Sequence, residues 1–129
     1  MDKKLEENMP IYMQIMGRVK EAIASGELKA GERIASVREM AAEFEVNPNT
    51  MQRALNELER EDLLVSERTA GRYVTRNETM IDRLKQETAE AAADRFRKEM
   101  AALGFSEEEM FLFFRQRCEM NTAGKEGVG

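Results

Sequence analysis

Between Pro48 and Glu57 the chain carries a run of amide, hydroxyl and guanidinium side chains, Asn49, Thr50, Gln52, Arg53 and Asn56, interleaved with Met51, Ala54 and Leu55. At about 100° per residue the apolar members, joined by Leu58, share one side of a helix. Asn49, Arg53 and Asn56 take the opposite side, with Gln52 and Thr50 on the flanks. One face packs and the other is left free to hydrogen-bond. Side-chain amides pair in bidentate fashion with the edge of adenine, and Arg does so with guanine. The chemistry on offer is therefore recognition of base edges. The competing reading of such a run is an ordinary solvated helix face.

Bond-breaking chemistry finds little to work with. The sequence contains no histidine, so the commonest general base and the commonest metal ligand are both missing. A lone Cys118 supplies neither a disulfide framework nor a thiolate metal site. The carboxylates are spread among Lys and Arg along amphipathic segments, as on solvated helix faces, and no convergent acid pair for a hydrolase stands out. No catalytic residue, metal ligand or cofactor is expected.

The polar run needs elements that hold it outward. Ser36 with Glu39 three residues on is a capping box, starting a helix at Val37 whose apolar positions Val37, Met40, Ala41 and Phe44 have helical spacing. The pattern breaks at Glu45-Val46-Asn47-Pro48, where Asn is a good N-cap and Pro at the first helical position loses no useful donor. A second helix begins at Pro48 and runs to about Asp62. Two short helices joined by a tight turn are the arrangement that delivers a helix N-terminus into the major groove. Upstream, Ile11, Tyr12, Ile15, Met16, Val19, Ala22 and Ile23 form a helix opened by Pro10 and closed at Ser25-Gly26. Leu28 to Ile34 is a turn-rich link whose Leu28 and Ile34 drop into the core, with Ile34 adding a short strand. Downstream, Leu63–Glu67 and Arg72–Thr75 are β-prone runs separated by Arg68-Thr69-Ala70-Gly71, which reads as a hairpin. Three helices and a hairpin make a winged helix-turn-helix.

The net charge of −5 argues by itself against a nucleic-acid partner. Charge is sorted locally, however: Arg68, Arg72 and Arg76 occur without an acid among them, just after the cluster Glu57, Glu59, Glu61 and Asp62. A positive wing tip on an acidic body favours specific sites over non-cognate DNA. The wing then supplies phosphate or minor-groove contacts and the second helix supplies base readout.

Beyond residue 76, Ile81, Leu84, Thr88, Ala91, Ala92, Phe96, Met100 and Leu103 recur at spacings of mostly three and four, and Gly104-Phe105 closes the helix. Ser106 with Glu109 caps another, on which Met110, Phe111, Phe113 and Phe114 crowd four large apolar groups into little more than one turn. A second subunit covers these most economically, and a palindromic operator calls for a two-fold dimer. Packing of the same stripe within one chain is the alternative. Residues 119–129 read as a disordered tail and the first residues as a charged, mobile start. With no bilayer-spanning apolar run and no signal-peptide core in MDKKLEENMP, the protein is expected to be soluble and cytoplasmic.

Several ordered motifs resemble the N-terminal domain of GntR-family bacterial transcription regulators: Pro10-Ile11-Tyr12-x-Gln14-Ile15, Gly26-x-Leu28-x-x-Gly31, Ser36-x-Arg38-Glu39-x-Ala41, Val46-Asn47-Pro48-Asn49-Thr50-x-x-Arg53-Ala54-Leu55-x-x-Leu58-Glu59, and Gly71-x-Tyr73-Val74. The resemblance covers residues 10 to 75. It implies that Arg38, Asn49, Thr50, Gln52 and Arg53 contact an operator and that Gly71 lies in a wing tip near the minor groove. The chain departs from the family in having Ile34-Ala35 where Leu-Pro is usual, Asp62 where Gly is usual, and Thr69 where a second wing Gly is frequent. The short two-helix tail is similar to the YtrA-like subfamily, which implies dimerisation through that tail, no room for the ligand pocket of larger relatives, and a regulator of neighbouring transport genes.

The expected protein is mainly α, with a winged helix-turn-helix DNA-binding domain at residues 8–76 and a helical dimerisation segment at 77–118. Its partner is double-stranded operator DNA, contacted by Arg38, Asn49, Thr50, Gln52, Arg53, Asn56, Arg68, Gly71 and Arg72. Its dimer forms through Ile81, Leu84, Phe96, Met100, Leu103, Met110, Phe113 and Phe114, without membrane association; no effector is assigned. The rival is a winged-helix module that docks a partner protein without reading DNA, which predicts apolar anchors on the exposed helix face.

Overall fold

The first three helices of the chain start and stop where side chains and backbone satisfy the orphan groups of a helix end. A computed structural model describes residues 9–68 and 70–128, with side chains as far as residue 122. Helix α1 (Ile11–Ser25) opens on the Pro10 carbonyl, which accepts from the Met13 and Gln14 N–H groups. It closes on Gly26, whose φ of 88° lets Leu28 N–H reach back to the Ala22 carbonyl at 2.9 Å. Helix α2 (Val37–Phe44) carries the full capping box: Glu39 N–H donates to Ser36 Oγ at 3.1 Å, and Ser36 N–H donates to Glu39 Oε1 at 3.0 Å. Helix α3 (Pro48–Arg60) is capped by Asn47, whose Oδ1 accepts from Asn49 N–H at 2.7 Å.

Helix α3 ends in a turn that the sequence suits poorly. Asp62 takes a left-handed φ of 64°, donating its N–H to the Glu59 carbonyl while Leu63 N–H reaches the Leu58 carbonyl. An L-residue with a Cβ is strained there and glycine is not. Asp62→Gly should therefore raise stability by about 0.5–1 kcal/mol, the relief exceeding the extra chain entropy of glycine. In a thermal melt this is an upward shift of a few degrees; a downward shift would refute the assignment of strain.

Strands β1 (Leu64–Glu67) and β2 (Gly71–Val74) pair antiparallel, in a register that sets Leu64 against Val74 and Ser66 against Arg72. The link before α2 lies along the other edge of β2: Gly31 and Ile34 N–H groups donate to the carbonyls of Val74 and Arg72, and Val74 N–H donates to the carbonyl of Glu32. The short strand expected at Ile34 is realised as an isolated bridge between Arg33 and Tyr73.

Two compact units divide the chain, one ending at Thr88 and the other starting at Ala89, so that helix α4 (Glu78–Ala102) is shared between them. The first has one core, built by Ile15, Val19 and Ile23 of α1, Met40 and Ala41 of α2, and Met51, Ala54, Leu55 and Leu58 of α3, closed by Leu64 and Val74 of the hairpin. The four α3 residues are 0% exposed. Burial of each large member contributes roughly 1.5–3 kcal/mol, which pins the rotation of α3 about its own axis. Sequence spacing alone ends this unit at residue 76 and gives Ile81 and Leu84 to the dimerisation stripe. Instead Leu84 belongs to the winged core, with Met80 and Ile81 packed against it. The physical reason is capping: Thr75 and Asn77 hold the start of α4 through Asn77 N–H to Thr75 Oγ1 and Met80 N–H to Asn77 Oδ1, both 3.1 Å. Its first turns are thereby laid on the core.

In the second unit α4 ends at Gly104, φ 94°, where Phe105 N–H meets the Met100 carbonyl, and the Ser106–Glu109 capping box begins helix α5 (Glu107–Val128). Met100 and Met110 are buried, and edge-to-face pairs join Phe96 to Phe114 and Phe105 to Phe113 at 5.8 and 5.6 Å. Helix α5 runs through Asn121 to Val128, where a disordered tail is expected from composition. Extending an existing helix needs only one more residue ordered per hydrogen bond, so the nucleation barrier is absent. The charged start at residues 1–8 and the wing position Thr69 lie outside the described residues. Among the described residues no helix is long and apolar enough to cross a membrane.

Candidate nucleic-acid interface

The burial of Met51, Ala54, Leu55 and Leu58 dictates what α3 shows on its other side. Asn49, Arg53 and Asn56 are exposed, and Thr50 and Gln52 are half-buried beside them. Arg38 is exposed on α2. Arg53 lies over the ring of Tyr12, its Cζ 3.9 Å from the ring centroid. The attraction between a guanidinium and the π-face is worth about 0.5–1 kcal/mol at an exposed site, and it holds an otherwise floppy side chain at the edge of the reading face. In the sequence Tyr12 is legible as a member of the α1 stripe and of the Pro10-Ile11-Tyr12 motif, not as the partner of Arg53.

The wing does not present its arginines alike. Arg68 is exposed at the tip, with no ion pair or hydrogen bond among the described residues. Arg72 is turned back onto α3: its Nε donates to Glu59 Oε1 at 2.5 Å and its Nη2 to Asn56 Oδ1 at 2.9 Å. The Ser66 hydroxyl donates to the same Glu59 oxygen, and Gln52 Nε2 donates to the same Asn56 oxygen at 2.8 Å. Charge sorting along the chain groups Arg72 with Arg68 as a free wing cation; the fold pairs it with an acid thirteen positions earlier. Linear sequence hides this because the hairpin folds back beside α3.

Burial acts to raise the Glu59 carboxyl, but hydrogen bonds from Ser66 and Arg72, with the guanidinium charge, outweigh it and hold the group below its ordinary value of 4.5. A carboxylate lowered by folding stabilises the protein above that value, and the contribution is lost as pH falls through the lowered one. The melting-temperature gap between the unmodified chain and Glu59→Gln should be constant near neutrality and close as the pH drops below 4.5. A gap that does not narrow at all as the pH falls below 4.5 would contradict the pairing.

Between wing and α2 runs a groove of about 840 Å³, lined in part by Arg33, Ser36, Glu39, Arg68 and Gly71. Gly71 has φ +100°, and a Cβ there would lie 3.1 Å from Arg33 Nε, so the bare backbone is what lets the guanidinium lie across the wing. Arg33 adds a cation that spacing along the chain does not pick out. The available signal is Ile34: if it faces the core on an extended segment, its neighbour faces away. Glu39, beside Arg33, is lowered chiefly by the Ser36 N–H and then the Ser36 hydroxyl. Those bonds keep the carboxylate at the helix end. Among the described residues no His, Cys, Asp and Glu cluster can hold a metal, and Cys118 is exposed.

Two short capped helices, the second showing a polar face, and a hairpin beside them define a winged helix-turn-helix. Residues 11–74 match the family model described as "Bacterial regulatory proteins, gntR family". The chain belongs to the GntR family. It is 36% identical over 110 residues to the HTH-type transcriptional regulator YhcF of Bacillus subtilis, covering 85% of this chain and 91% of that one. It is 43% identical over 68 residues to the HTH-type transcriptional repressor YtrA of the same organism, over 53% of this chain and 52% of the relative. A GntR family regulator from Listeria monocytogenes superposes with a TM-score of 0.78 at 34% identity, covering 90% of this chain and 98% of its own. AraR(DBD) in complex with operator ORR3 superposes at TM-score 0.50 and 25% identity, over 52% and 81% of the two chains.

Proposed function

We propose that the protein is a repressor that binds a palindromic operator as a homodimer in the cytoplasm. The observation that carries the reading is the division of α3, whose one face is wholly buried while Asn49, Thr50, Gln52, Arg53 and Asn56 line the other. That face holds amides, a hydroxyl and a guanidinium, the groups that pair with base edges. It offers no apolar anchor of the kind a protein-docking face needs. Arg38 joins the reading face, and Arg33, Arg68 and the Gly71 backbone meet phosphates. Repression is supported by the name of the similar YtrA, and operator binding by the AraR complex.

Dimerisation is supported by the second unit. Leu103, Phe111, Leu112, Phe113 and Phe114 are all exposed, Phe111 at 77%. Large apolar groups left open at the end of α4 and the start of α5 are of the kind that marks an interaction surface. The dimerising set is then Phe96, Leu103, Phe113 and Phe114, with Met100 and Met110 buried beneath them and Ile81 and Leu84 given to the winged core. Selection of bound duplexes from a random pool tests the whole reading: a two-fold symmetric consensus is expected, and recovery of no consensus would overturn it.

A further inference from the structure

Asn56 sits on the reading face, yet its carbonyl oxygen is already fully engaged, accepting from Gln52 on its own helix and from Arg72 on the wing. An amide oxygen has two lone pairs, so Asn56 faces outward as a donor. Gln52 spends one N–H on Asn56 and keeps its carbonyl and its second N–H, the pair that an adenine edge requires. Both orientations hang on Arg72. Arg72 in turn is fixed by Glu59, itself held by Ser66 across the hairpin from Arg72. The side chains of the pair are 17% and 28% exposed, and Glu59 cancels the charge that Arg72 would otherwise bring to a phosphate.

We propose that Arg72 is a positioning residue for base readout: the wing sets the amides of Gln52 and Asn56 through it, so operator preference depends on a side chain that touches no base. The proposal rests on the DNA-reading function given above. It separates two wing arginines that composition treats alike, Arg68 acting on phosphate and Arg72 on specificity.

The test uses the full chain and the selected operator, with single-base variants of each half-site competed at several salt concentrations. Arg72→Met keeps the stem and removes the donors. Discrimination at the base pairs under Gln52 and Asn56 should fall roughly fivefold or more, while the slope of log affinity against log salt stays put. Arg68→Ala should do the reverse, keeping base preference and flattening the slope by about 0.9 for each phosphate it no longer neutralises. Glu59→Gln provides a second route if Arg72→Met folds poorly: it frees the guanidinium, so discrimination should drop and the slope steepen by up to about 0.9. If Arg72→Met flattens the slope and leaves base preference intact, Arg72 is a phosphate contact and the proposal fails. It fails equally if Glu59→Gln changes neither quantity. Failure of the unmodified chain to prefer any sequence would overturn the DNA-binding function itself, an outcome distinct from a preference that survives both variants.

Discussion

Phe113→Asp combined with Phe114→Asp should convert the protein into a monomer whose affinity for the full palindrome drops to that for a half-site. Linking two binding events through a dimer raises avidity by about 10²–10⁴-fold, and that is the expected decrease. Phe113 and Phe114 are 41% and 56% exposed even though each has an aromatic neighbour within its own unit. Covering them in a second subunit contributes roughly 1.5–3 kcal/mol per large side chain. A charge at each position must instead be desolvated or left apart. The winged core is complete by Leu84, so the double variant should keep its melting transition for that unit and half-site binding with it. A dimer sets two recognition helices about 34 Å apart along one face of the duplex. Sedimentation of the unmodified chain as a monomer at micromolar concentration, with full operator affinity, would rule this out.

Arg53→Ala should cost about 1–3 kcal/mol in operator binding, the value of one bidentate base contact, or roughly 5- to 150-fold in affinity. Its folding cost is small. The side chain is exposed and its described partner is the Tyr12 ring, so the destabilisation should stay near the roughly 0.5–1 kcal/mol of an exposed cation–π interaction. Binding at fixed salt and melting temperature measured together separate the two effects. Arg38→Ala should behave in the same way, since Arg38 is exposed on α2. Unchanged operator affinity in both variants would remove these residues from the reading face.

Local chemistry in the sequence is enough to place α1, α2 and α3. The Ser36–Glu39 box, Asn47-Pro48 and Ser25-Gly26 each satisfy a helix end within a few residues of chain, and such signals survive folding intact. The strand pairing follows from two β-prone runs around one turn. Long-range partners are not legible. Arg53 meets Tyr12, and Arg72 meets Glu59 and Asn56, only because α1 and the hairpin are brought beside α3. Periodicity makes the stripe from Ile81 to Leu103 a single surface because it reports which residues share a helix face, not which body covers each turn. The structure splits it, with Leu84 in the winged core and Met100 buried in the second unit.

The hydrogen-bond chain from Glu59 through Arg72 to Asn56 and Gln52 has a consequence for how such regulators diverge after gene duplication. Asn49 and Thr50 stand outside the chain, and neither belongs to the buried core, so a copy can drift toward a new operator by single substitutions there. Positions 52 and 56 are different. A new side chain at either one inherits a neighbour tuned to an amide, and its effect is contingent on what occupies positions 59 and 72. Specificity should therefore evolve gradually along one edge of α3 and in correlated jumps along the other, with positions 52, 56, 59 and 72 substituted as a set.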